Sequence, residues 1–109
     1  MGLTKTENFT QEQNALASVA KVIGHPARIA ILEHIIKSQS CVCGSIVDEI
    51  GLAQSTISQH LAELKRVGLI QGTIEGTSVC YCVNVETWES FKNQFNTLFD
   101  SAIKGIECC

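Results

Sequence analysis

The chain has a single proline, Pro26, among its 109 residues, and it has no internal repeat or low-complexity tract. Without linker composition, a single domain spanning residues 1–109 is the expected organisation. No apolar run approaches the roughly 20 residues that span a bilayer, so no membrane partner is expected. Charge is also scarce, at 17% of residues with a net charge of −3. That balance excludes broad electrostatic attraction to nucleic acid, which draws most of its non-specific strength from phosphate contacts, but it leaves room for a local basic patch. There is no Cys-x-x-Cys motif, Ser-His-Asp order or phosphate-binding loop, which argues against an enzyme. The start, Met1 to Thr6, lacks the apolar core of a signal peptide, so the expected compartment is the cytoplasm. Three short patterns disagree with the scaffold below and carry no weight: a myristoylation-like Gly2–Thr6, a prenylation-like Cys108-Cys109 and a glycosylation-like Asn8-Phe9-Thr10.

Against this plain background stand six cysteines in three tight pairs: Cys41-Val42-Cys43, Cys80-Tyr81-Cys82 and Cys108-Cys109. Cytosolic thiols stay reduced, so such grouping points to soft-metal or redox chemistry before structural disulfides.

Hydrophobic periodicity predicts a mainly α chain with one small β-hairpin. Thr10 and Gln13 form a capping-box pattern ahead of a helix over 10–23, with Leu16, Val19, Ala20 and Ile23 inward and Gly24 as its stop. Pro26 suits the first turn of a second helix to about Lys37, whose stripe is Ile29, Leu32, Ile35 and Ile36. Residues 38–40 read as a connector into Cys41. A short third helix carries Ile46, Val47 and Ile50 and is closed by Gly51, and a fourth runs over about 54–67 with Ile57, Leu61 and Leu64 inward. Two helices joined by a Gly-containing turn make a helix-turn-helix, here about residues 44–67. Residues 69–83 then read as a hairpin around Glu75-Gly76-Thr77, that is, a wing. A last helix over about 86–104 carries Trp88, Phe91, Phe95, Leu98, Phe99, Ala102 and Ile103, an apolar stripe suited to the core or to a dimer interface. The order is ααααββα, a winged helix-turn-helix.

At this point the chain resembles the ArsR/SmtB family of winged-helix metal- and metalloid-responsive repressors. The resemblance rests on Ala20 through Leu32, Cys41-Val42-Cys43, Gln54 through Leu61, Gly68-Leu69-Ile70 and Val79-Cys80-Tyr81, in the family's order and over nearly the whole chain. It implies a homodimer, joined through helices 10–23 and 86–104, that binds double-stranded operator DNA and releases it when an inducer binds. The helix 54–67 then lies with its N-terminal part in the major groove. Gln54, Ser55, Thr56, Ser58 and Gln59 can bond base edges or phosphates, with Lys65 and Arg66 near the DNA backbone. Two departures weaken that grip. Ala53 stands where the family commonly places a capping serine, and the wing tip lacks the arginine often found there. His25, His34 and His60 read as structural.

Cys41 and Cys43 match the Cys-Val-Cys motif of arsenic-responsive members. In a regular helix two such side chains diverge by about 200°, so they converge only on extended or distorted backbone. Ile46 occupies the place of the third cysteine that many such members carry. The missing donors come from Cys80/Cys82, from Cys108/Cys109 or from the partner subunit. The favoured metalloid ligands are Cys41, Cys43, Cys108 and Cys109, with As(III) or Sb(III) as inducer, while packing is the expected role of Cys80 and Cys82. The alternatives within the same scaffold are a Cd(II)-, Pb(II)- or Zn(II)-responsive repressor and a thiol-redox or persulfide sensor. The absence of histidine from 86–104 argues against a zinc site there. A metallochaperone, from another class, needs no helix-turn-helix.

Overall fold

Thr10 starts the first helix by accepting a hydrogen bond from the Gln13 backbone N–H, while the Gln13 side chain accepts one from the Thr10 N–H (both 3.0 Å). This reciprocal cap satisfies two amides that helix geometry leaves without partners. The computed structural model describes residues 6–38, 41–44, 46–76 and 78–105. In chain order they form α1 (Gln11–Ile23), α2 (Pro26–Ser38), β1 (Val42–Cys43), α3 (Ile46–Ile50), α4 (Gln54–Arg66), β2 (Ile70–Glu75), β3 (Ser78–Val83) and α5 (Val85–Gly105), after a short 3-10 turn at Thr6–Asn8.

The predicted helices and hairpin are all present, and β1 is an addition. It lies where the sequence pattern predicts the run from a connector into the third helix, because two residues are too few to show a period. β1 pairs antiparallel with β3, making a three-stranded sheet in the order β1-β3-β2. The hairpin itself pairs from Ile70 opposite Val83 to Glu75 opposite Ser78.

The core gathers Val19 and Val22 of α1, Ile31, Leu32 and Ile35 of α2, Ile46, and Ile57, Leu61 and Leu64 of α4, closed by Val42, Leu69 and Ile70. Two inward assignments shift. On α2, Ile31 is fully buried while Ile29 and Ile36 are exposed. On α1, Val22 is buried and Ala20 exposed. α2 is apolar on nearly every side, so its stripe cannot be fixed from periodicity alone.

α5 has no buried residue in the isolated chain. Trp88, Phe91 and Phe95 pack against the core, whereas Leu98, Phe99 and Ile103 stand 55%, 58% and 79% exposed. Trp88 Nε1 donates to the Leu69 carbonyl (2.8 Å), which fastens α5 to the start of the wing. An apolar cleft of about 400 Å³ lies between α1 and α5, lined by Val19, Ile23, Val85, Trp88, Phe91 and Phe95. Among the described residues no single helix is long and apolar enough to cross a membrane.

Candidate thiol site and nucleic-acid interface

β1 is what brings cysteines together. Its register sets Val42 opposite Tyr81 and Cys43 opposite Cys80. Continued by one residue, the same register sets Cys41 opposite Cys82. Cys41 and Cys82 are indeed joined by a disulfide, with α-carbons 4.5 Å apart, the spacing of the closer class of antiparallel pair. Cys80, at zero exposure, is disulfide-bonded as well.

The packing role expected of Cys80 and Cys82 is met in burial at Cys80 and extended by disulfide pairing at both. Cys80 is buried as a packing residue is, but it also carries a disulfide, and Cys82 is cross-strand partner to Cys41. The physical cause is strand pairing: cross-strand partners share a face, so a register that sets Cys41 opposite Cys82 brings those two side chains together. In a reducing compartment the same geometry holds Cys41 and Cys82 as adjacent thiols. The requirement that the backbone at Cys41–Cys43 be extended is met by β1. Gly44, at φ +85°, then turns the chain toward α3 in a conformation that glycine adopts without strain. Nothing lies within 4 Å of where a Cβ at Gly44 would stand, so backbone conformation alone calls for glycine there.

Cys108 and Cys109 lie outside the described residues. Among the described residues no group of three or more His, Cys, Asp or Glu side chains is arranged to hold a metal ion. The thiols of Cys41 and Cys82 fit a soft, thiophilic ion or metalloid in the chemistry of their donors. Cys41 is exposed and Cys82 half-buried, so a solute can reach the pair.

The turn of the helix-turn-helix runs through Gly51, at φ +79°, into α4. Ala53 takes the N-cap position of α4 and makes no side-chain cap, as its missing oxygen dictates. Gln54, Ser55, Ser58 and Gln59 are exposed on the first turns and Thr56 is half-buried. Gln54 and Ser58 also edge a cleft of about 370 Å³ between α3, α4 and β3 that reaches Val79 and Tyr81. Lys65 lies exposed beside Gly72 of β2, at the foot of the wing. Arg66 is paired with Glu63 through a 2.9 Å contact, and it borders α1 and α5 near Ser18 and Phe91. The hydrogen bond from Arg66 also holds the Glu63 carboxyl below its ordinary range. Gln54, Ser55, Ser58 and Gln59 thus share the exposed N-terminal half of α4, while Lys65 and Arg66 lie at its far end.

Behind α4 sits a polar knot that sequence patterns do not reveal. Arg28 Nε donates to His60 Nδ1 (3.0 Å) and its Nη1 to the Val22 carbonyl (3.2 Å), linking α1, α2 and α4. His25 caps α2 by accepting from the Ala27 N–H (3.1 Å), and its ring lies 4.6 Å from that of His60. These two histidines are structural, as expected. Burial, then the neighbouring His25 and Arg28, push the His60 pKa below its ordinary value. The spacing of Arg28 and His60 gives no signal, because they lie 32 residues apart. For Cys82 a signal does exist, in the repeated Cys-x-Cys of two extended segments.

Known proteins share this fold. Residues 25–71 match the family model described as "Bacterial regulatory protein, arsR family". An HTH-type transcriptional regulator of Methanocaldococcus jannaschii is 42% identical over 62 residues, covering 56% of this chain and 68% of the relative. The HTH-type transcriptional repressor SmtB of Mycobacterium tuberculosis is 35% identical over 68 residues, covering 62% of this chain and 50% of the repressor. A homodimeric winged helix-turn-helix DNA-binding domain from Mycobacterium bovis superposes with a TM-score of 0.66 at 21% identity, covering 99% of this chain and 97% of that one. These matches are to transcriptional regulators, not enzymes. The chain belongs to the ArsR family of DNA-binding, winged helix-turn-helix transcriptional regulators.

Proposed function

We propose that the protein is a repressor that binds operator DNA as a homodimer in the cytoplasm and releases it when As(III) or Sb(III) is captured by thiolates grouped around Cys41 and Cys43. The observation that carries this reading is the placement of β1. Cys41–Cys43 leads through Gly44 straight into α3, and α3 is joined by one tight turn to α4. A ligand that ties down β1 therefore pulls on the helix pair that reads DNA. Exposed Leu98, Phe99 and Ile103 on α5 supply the apolar surface for a second copy.

The Cys41–Cys82 disulfide favours a second reading, a thiol-redox repressor. In that case the two thiols yield two electrons and two protons to a peroxide, which leaves as two molecules of water, and a direct sulfur–sulfur bond replaces the captured metalloid.

The test uses the reduced full chain and a DNA duplex selected from a random library for tightest binding. Arsenite, Cd(II), Zn(II) and hydrogen peroxide are titrated into the complex in turn. Release by arsenite at the lowest concentration supports the metalloid reading. Release by peroxide with arsenite inert replaces it with the redox reading, and release by Cd(II) or Zn(II) with arsenite inert replaces it with a divalent-metal sensor.

A further inference from the structure

The sequence motif offers Cys41 and Cys43 as ligands and leaves the completing donor open. We propose that the donor paired with Cys41 is Cys82 of the wing. Cys41 and Cys82, when reduced, then form a cross-strand dithiol site for trivalent arsenicals that couples the entry of the helix-turn-helix to the wing. The proposal rests on the metalloid reading above for its biological use, but the site stands on geometry of its own.

Three observations support it. The α-carbons of Cys41 and Cys82 are 4.5 Å apart, near enough for the two sulfurs to bond directly. The pair is held by a ladder, since the next two positions, Val42–Tyr81 and Cys43–Cys80, are paired, and β3 is pinned on its other edge along the whole of β2. Finally, Cys41 is exposed and Cys82 half-buried, so the ligand meets the thiols at the surface, while Val42 beside Cys41 is anchored in the core. Together these make a chelating pair on rigid backbone with an open approach.

The chemistry needs no change of oxidation state. A monosubstituted trivalent arsenical carries two As–OH groups. Each As–O bond breaks as an As–S bond forms, each thiol proton leaves with a hydroxide as water, and arsenic remains trivalent throughout. Arsenic set between the sulfurs gives a longer bridge than a direct sulfur–sulfur bond. The metalloid-bound state therefore holds β1 and β3 further apart than the oxidised state does. The two states send different displacements to α3 on one side and to the wing on the other.

The test uses phenylarsine oxide, which takes two thiols, on the full chain reduced with a trialkylphosphine. After one equivalent per subunit, the remaining thiols are alkylated and mapped by mass spectrometry. The expected result is protection of Cys41 and Cys82, with Cys108 and Cys109 alkylated. Protection of Cys41 with Cys43, or of Cys108 with Cys109, overturns the proposal. The wild-type map depends on no variant, so a folding defect cannot obscure it. In parallel, Cys82→Ser should weaken binding of the probe by roughly a hundredfold, the scale set by removing a second, tethered attachment. The double variant Cys108→Ser/Cys109→Ser should bind as wild type does. Unchanged affinity in Cys82→Ser also overturns the site. The two readings fail separately. A mapped Cys41–Cys82 chelate with operator affinity unmoved defeats the repressor mechanism and leaves the site, whereas operator release that persists in Cys82→Ser defeats the site and leaves the mechanism.

Discussion

His60 shows how one side chain ties α4 to the rest of the chain. It is 8% exposed, accepts a hydrogen bond from Arg28, and lies against His25. Protonation there forfeits the Arg28 hydrogen bond and places a positive charge beside the Arg28 guanidinium and against the His25 ring. The pKa of His60 is accordingly below the 6.5 of a free histidine, through burial first and these neighbours second. A histidine whose folded pKa is depressed stabilises the fold above the unfolded value and loses that contribution as pH falls through and below it. Chemical denaturation between pH 7.5 and 5 should therefore show stability falling below about pH 6.5. His60→Gln keeps an acceptor for Arg28 and cannot titrate. Its curve should be flatter over that range, and parallel curves for wild type and variant would contradict the role given to His60.

At the scale of elements, α4 begins without a cap. Ala53 lies in extended conformation ahead of Gln54 with no side-chain oxygen to offer the first amides of the helix. Ala53→Ser supplies one, and should raise unfolding stability by about 1 kcal/mol in denaturant melts. No gain, or a loss, would mean that those amides already have adequate partners. The same scale shows what sequence can and cannot tell. α1, α4, α5 and the hairpin are legible because apolar spacing marks each of them, helped by the capping box of α1 and by glycines at the turns. β1 is not, since two residues carry no period and only pairing with β3 makes them a strand. That one strand carries the proposed thiol site. Without β1, Cys80 and Cys82 look like ordinary sheet residues; with it, they face the Cys-Val-Cys segment. Periodicity misplaces the inward face of α2 at Ile29 and Ile36 for a related reason, because apolar residues all round leave the choice of face to tertiary packing. Arg28 and His60, far apart in sequence, carry no local signal at all.

For the whole molecule, the isolated chain is left with surface that wants covering. Leu98, Phe99 and Ile103 share an exposed apolar stripe on α5, next to the α1–α5 cleft. In the proposed homodimer this stripe meets its copy. Placing like charges there with Leu98→Glu/Ile103→Glu should yield monomers by sedimentation velocity. Tight operator binding should then vanish, because a monomer engages only one half-site. Dimers that persist in the double variant would move the interface elsewhere. If binding of metalloid and of operator are coupled in this dimer, the coupling must be reciprocal and of one size, typically about 5- to 150-fold. The most direct measurement is the affinity of the reduced protein for arsenite, free and saturated with its selected duplex, beside its affinity for that duplex with and without arsenite. The account predicts that operator weakens arsenite binding by the same factor by which arsenite weakens operator binding. Arsenite affinity indifferent to operator would contradict it.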